Sequence, residues 1–184
     1  VEVGMQALED KDENKIKYVL EHEPVIDALE EDITRYLTKM SEKEMGAELS
    51  AMHTRLLHAC TDIERIGDHG EALAKDARRM FEDDVKFSEE AKTELRALGE
   101  LVMQASGKAM EALANNDKVL AQEAWDICRQ VKKAQKEIRK NHIVRLNEKR
   151  CDPVAGFMMM EILINLKRVS DHSKNISQIV LGIF

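Results

Sequence analysis

Apolar residues recur three and four positions apart along nearly the whole chain, the spacing that puts them on one face of an α-helix. The pattern is already running at the first residues (Val1, Met5, Leu8). It resumes behind Asp10 and Glu13, a capping-box spacing, with Ile16, Val19, Leu20, Ile26, Leu29, Ile33, Tyr36, Leu37 and Met40. Pro24 falls inside this second stretch and predicts a kink or a restart, since proline supplies no amide hydrogen to the helix and crowds the preceding turn. Ser41 with Glu44 gives another capping box, and a third helix follows to about Met80 through Leu49, Met52, Leu56, Cys60, Ile63, Ile66, Gly70 and Leu73. Glu82-Asp83-Asp84 reads as a turn. Ser88 caps a fourth helix that ends near Ala114, and Asn115-Asn116-Asp117 opens a fifth through Val119, Leu120, Trp125, Val131, Ile138 and Leu146. Asp152 and Pro153 start the sixth, where proline at the first helical position loses nothing by lacking its N–H. The apolar face of that helix (Phe157, Met159, Met160, Leu163, Leu166, Val169, Ile176) is a packing stripe.

These six helices fall into two sets of three. Asp62-Ile63-Glu64-Arg65-Ile66-Gly67-Asp68-His69 returns, altered, 103 residues later as Asn165-Leu166-Lys167-Arg168-Val169-Ser170-Asp171-His172. Met5-Gln6-Ala7-Leu8 with Asp12 returns 105 residues later as Met110-Glu111-Ala112-Leu113 with Asp117, and one short loop insertion absorbs the difference of two. The expected architecture is therefore all-α, two pseudo-symmetric antiparallel three-helix repeats over residues 1–81 and 88–184. Subtracting the offset of 105 from Ser88 puts the counterpart start about 17 residues ahead of Val1, so the first helix is expected to be several turns shorter than the fourth and to be preceded by further chain. Its apolar partners would then lie uncovered, inviting dimerisation there or contact with a membrane.

Composition agrees with helices and narrows the partners. Aromatic residues make up only 4% and there are two prolines, while 34% of residues are charged, a mixture poor in strand formers. A net charge of -7 argues against a nucleic-acid binder, which needs cations to replace those on phosphates. Three widely spaced cysteines (Cys60, Cys128, Cys151) fit reduced thiols on the cytosolic side better than a disulfide frame. No apolar run approaches the roughly 20 residues of a membrane helix.

The chemistry lies in carboxylates. Glu64 and Asp68 are four apart and share a helix face, as do Asp27 and Glu31 on the helix before, its antiparallel neighbour. Four acids brought together repel unless a cation, protons or basic partners offset them, and hard oxygen donors suit iron, manganese, magnesium or calcium better than zinc. In a chain with 35 acidic residues the same spacing also arises on solvated faces. No histidine has Glu three positions before it, which disfavours a ferritin-like di-iron centre, and no phosphate loop, nucleophile elbow or Cys-x-x-Cys is present. His69 and His172 recur in the repeat as groups behind the acids or on the surface, and Cys60 and Trp125 belong to packing.

The duplicated triplet with Glu64-Arg65-Ile66-Gly67-Asp68-His69 resembles the PhoU family of phosphate-uptake regulators over essentially the whole chain, and Ile33-Thr34-Arg35-Tyr36-Leu37-Thr38-Lys39-Met40-Ser41 looks closest to the PhoU-like domain that follows the membrane part of bacterial sodium/phosphate cotransporters. The resemblance implies a non-enzymatic regulatory domain on the cytosolic side of the membrane, partnered by the membrane part of a phosphate transporter, with a free-standing PhoU regulator as the alternative and a carboxylate metal enzyme as a third class. It also lends Glu64 and Asp68, and with them Asp27 and Glu31, a role as ligands for iron, manganese or another divalent cation. The second repeat departs from this pattern: Lys167 stands at the place of Glu64, Lys132 and Lys136 at those of Asp27 and Glu31, and only Asp171 remains. Any metal is expected in the first repeat only. The lysines are read as solvated, or else as a basic patch for an acidic partner or a phosphate.

Overall fold

The computed structural model describes residues 1–41 and 45–183. Six helices follow in order: α1 (Glu2–Asp10), α2 (Glu13–Ser41), α3 (Ala47–Glu82), α4 (Glu89–Asn115), α5 (Lys118–Asn147) and α6 (Pro153–Leu181). Within each set the helices pack on one another, and α3 against α6 joins the sets, with a slight touch of α1 on α4. The largest apolar cluster draws residues from every helix except α2, among them Met5, Leu73, Leu98, Val131 and Leu166.

The helix ends show the repeat in backbone conformation. Lys11 (φ 53°, ψ 45°) and Asn116 (φ 51°, ψ 39°) both leave the helix through the left-handed region. The aspartate that follows each caps the next helix: Asp12 accepts from the amide of Asn14 at 2.9 Å, and Asp117 from that of Val119 at 2.8 Å. The α2 cap is thus Asp12 rather than Asp10, because the left-handed turn at Lys11 ends α1 one residue beyond Asp10, which bonds Lys15 instead. Ser88 and Asp152 cap α4 and α6 as their spacing predicts, with Pro153 at the start of α6.

Pro24 neither ends nor restarts α2, which continues from Glu13 to Ser41. The capping box at Ser41 and Glu44 involves residue 44, outside the described residues. Ser41 itself closes α2, its hydroxyl donating to the carbonyl of Thr38, and α3 begins behind Gly46.

The repeats differ most in their first helix. The nine residues of α1, which begins at the second residue of the sequence, correspond to the last nine of the 27 in α4. Beyond Leu20 the only buried residue of α2 is Leu37.

Candidate functional site

Where α2 meets α3, Gly67 sets the approach. A Cβ at Gly67 would lie 3.2 Å from Cδ1 of Ile26, so glycine lets α2 come close beside Asp68. That contact brings acids from two helices together: one carboxylate oxygen each from Glu23, Asp27 and Asp68 lie within 4.8 Å of one another. Among the described residues this is the one such group of three. Glu64, one turn before Asp68 on α3, hydrogen-bonds with it. Arg65 supplies the local counter-charge, donating to Asp68 at 2.8 Å and lying 3.5 Å from Glu64.

Desolvation and the neighbouring carboxylates raise two of these acids. Desolvation, then a hydrogen bond with Asp27 and the charges of Asp27, Glu71 and Asp68, raise Glu23 to about 7. Glu64 is raised as well, by desolvation first and then by Asp68, with Arg65 opposing and Asp27 adding.

Of the four acids read from sequence, Asp27, Glu64 and Asp68 meet and Glu31 does not. Glu31 is exposed and accepts from Arg35 at 2.6 Å. Glu23 takes the expected place instead, because the contact of Ile26 with Gly67 sets Asp68 level with residues 23 and 27 rather than 27 and 31. The pair Glu23 and Asp27 has the same spacing of four, so the missing information was the register of α2 against α3.

In the second repeat the same places carry different chemistry. Lys132 and Lys136 are exposed, and Lys167 is ion-paired with Asp171. Cys128, at the counterpart of Glu23, is pushed up by burial, with Ser170 opposing. The three cysteines are free thiols. In the second repeat these places thus hold two exposed lysines, an ion pair and a thiol.

His69 and His172 lie in the seam between α3 and α6, related by the pseudo-two-fold. His172 Nδ1 is 2.7 Å from Asp62 Oδ1, and His69 Nδ1 is 3.2 Å from Asn165 Oδ1, the residue 103 positions after Asp62. The rings stack with centroids 5.8 Å apart. Asn175 also donates to Asp62, and Asn165 donates to Asp76. Asp76 is almost closed to solvent, and desolvation, followed by the charge of Glu161, raises it to about 6. A carboxyl raised in the folded state is more easily ionised in the unfolded chain, so its contribution is fully present below about 4 and is lost as pH rises towards 6. Asp76→Asn is therefore expected to raise the melting temperature at pH 7.5 and to leave it unchanged or lower at pH 4, read by circular dichroism. A variant that is less stable at both would show the ionised carboxylate to be the favourable form.

A sequence model of the PhoU domain matches residues 2–77 and 95–180. The chain belongs to the PhoU family. This PhoU chain is 26% identical over 182 residues to the phosphate-specific transport system accessory protein PhoU homolog 1 of Thermotoga maritima, spanning 98% of this chain and 77% of that protein. It is 25% identical over 182 residues to the phosphate-specific transport system accessory protein PhoU homolog of Pseudomonas aeruginosa, spanning 97% and 73%. The fold matches the crystal structure of PhoU from Pseudomonas aeruginosa with a TM-score of 0.91 at 22% identity, over 99% of this chain and 87% of that one. It matches the phosphate transport system regulatory protein PhoU from Streptococcus pneumoniae with a TM-score of 0.85 at 19% identity, over 99% and 84%.

Proposed function

We propose that this chain is a PhoU-type regulator acting on a phosphate transport system from the cytosolic side, with no catalysis of its own. The observation that carries this is the alignment of nearly the whole chain with relatives named as phosphate-specific transport system accessory proteins. Those names support an accessory protein better than the reading that sequence alone put first, a domain joined to a sodium/phosphate cotransporter. Both readings share a membrane transporter as partner, and no described helix is long and apolar enough to cross a membrane. The acids also sit apart from the larger depressions, one of which, about 620 Å³, is lined by Glu94, Asn141, Arg145 and Arg150 on α4, α5 and the turn after it. Substrate chemistry needs a pocket holding its acid or base. The test is phosphate uptake in a bacterium deprived of its own PhoU. Expression of this chain should return uptake in phosphate-rich medium to its repressed level, and unchanged uptake would overturn the reading.

The acids of the first repeat fit a hard divalent cation, iron or manganese before zinc. Their oxygens are grouped closely enough for one ion to touch all three, and the proton held at Glu23 occupies the charge balance a cation would supply. Glu23, Asp27 and Asp68 are the donors, with Glu64 supporting Asp68. Because the cation must displace that proton, affinity for manganese should rise with pH, up to about tenfold per unit while Glu23 is protonated, and level off above about 7. Isothermal titration across that range reads it directly; an affinity indifferent to pH removes Glu23 from the donor set.

A further inference from the structure

The side of α5 turned away from α4 carries a row of bases. Trp125, Arg129, Lys132, Lys136, Arg139 and Ile143 recur at spacings of four and three, so they form one stripe along the helix. Asn141 and Arg145 bond Glu94 of α4 at 2.8 and 2.6 Å, which fixes the side facing α4. Lys132, Lys136 and Ile143 stand nine, five and two residues from Asn141, about half a turn round. On α6, which α4 also packs against, Phe157 and Ile164 each stand two residues from a buried one, Ala155 and Leu166. A Cβ at Gly156 would lie 3.0 Å from Nε2 of His142, so the next residue, Phe157, comes up beside Ile143. The nearness of Ser170 to Cys128 gives the same antiparallel register and sets Ile164 level with the span between Lys132 and Lys136. Phe157 is 60%, Ile164 50% and Ile143 47% exposed. The two helices thus present one outward surface on which bases and large apolar groups alternate.

The internal repeat shows that the fold does not call for such a surface. Subtracting 105 from Lys132, Lys136, Arg139 and Ile143 gives Asp27, Glu31, Thr34 and Thr38, and subtracting 103 from Phe157 and Ile164 gives Thr54 and Thr61. Acids and threonines serve the same places in the first repeat. Among the described residues Lys132, Lys136 and Arg139 have no ion pair, Arg129 has Asp126 at 2.5 Å, and the nearby Asp171 is taken by Lys167. Bases a turn apart repel one another and exposed apolar groups are costly in water, and a covering surface that is both anionic and apolar relieves both.

We propose that this face of α5 and α6 docks on a bilayer that carries anionic phospholipid. Long lysine and arginine side chains reach headgroup phosphates, while Phe157, Ile143 and Ile164, standing singly among them, enter the boundary of the acyl chains. A partner helix would instead need the apolar groups joined in one seam. The chain as a whole, at a net charge of -7, is repelled by such a bilayer, so contact is confined to this face and orients the molecule on the membrane. No transporter is needed for it, which sets it apart from the regulator reading.

Flotation of the full chain with protein-free vesicles tests this. The chain should bind phosphatidylcholine vesicles containing phosphatidylglycerol, should not bind phosphatidylcholine alone, and should be released at about 0.5 M NaCl. Lys132→Gln with Lys136→Gln should weaken binding about tenfold or more, since each base near an anionic surface contributes about fivefold. Phe157→Ser with Ile164→Ser should weaken it about tenfold with unchanged circular dichroism, because both side chains are exposed in the free chain. A chain that stays unbound, that binds both kinds of vesicle equally, or whose binding survives either double change overturns the proposal. A chain that ignores vesicles but binds a polyglutamate peptide, and loses this in the lysine variant, would assign the face to an acidic protein and overturn it likewise. Because these vesicles hold no transporter, failure here leaves the phosphate-uptake reading standing.

Discussion

Leu166→Ala should lower the free energy of unfolding by about 2–5 kcal/mol, whereas Ile63→Ala, at the same place in the other repeat, should cost well under half as much. Leu166 is wholly buried among the three helices of its set, so truncation removes contacts on every side and leaves a cavity. Ile63 is 36% exposed, so water already meets part of the side chain and fills the space left. Urea denaturation of both variants gives the difference directly. Equal losses would mean that Ile63 is as closed to water in solution as Leu166, and the difference drawn here would go.

That pair of residues shows where sequence reading succeeds and where it stops. Ile63 and Leu166 occupy matching places in the two copies of the motif, and periodicity puts both on a core face; the helices, their caps at Ser88, Asp117 and Asp152, and the duplication all follow from local spacing. Burial does not, because it depends on which helices pack over each face, and Leu166 is wholly buried where Ile63 is 36% exposed. The same limit explains Glu31. The i, i+4 spacing places two acids on one face of α2, but which pair stands level with Asp68 is decided by Ile26 seated on Gly67, a contact between helices 41 residues apart in sequence. It explains the histidines as well: the pairing of Asp62 with His172 and of Asn165 with His69 requires α3 to pack against α6, which no local pattern encodes.

Metal should load at one ion-binding group per chain, in the first repeat, and the double change Glu64→Ala with Asp68→Ala should abolish it. Asp68 is one of the three converging carboxylates, and Glu64 is the acid hydrogen-bonded to it, so the pair of changes removes a donor and the group that orients it. The metal-free variant should be as stable as the parent or slightly more so, since two acids that crowd Glu23 and Asp27 are gone while the lost contacts of Arg65 are surface pairs. With manganese present the order reverses, because only the parent gains stability by binding in the folded state. In the second repeat the Lys167 ammonium neutralises Asp171, and Lys132 repels a cation, so no ion is expected there; Lys132→Asp with Lys167→Glu removes both obstacles and should raise the stoichiometry. Elemental analysis after iron or manganese loading, alongside melting temperature with and without metal, distinguishes the outcomes. Full occupancy in the double Ala variant would place the ion elsewhere, and no occupancy in the parent would leave these acids as a solvated face.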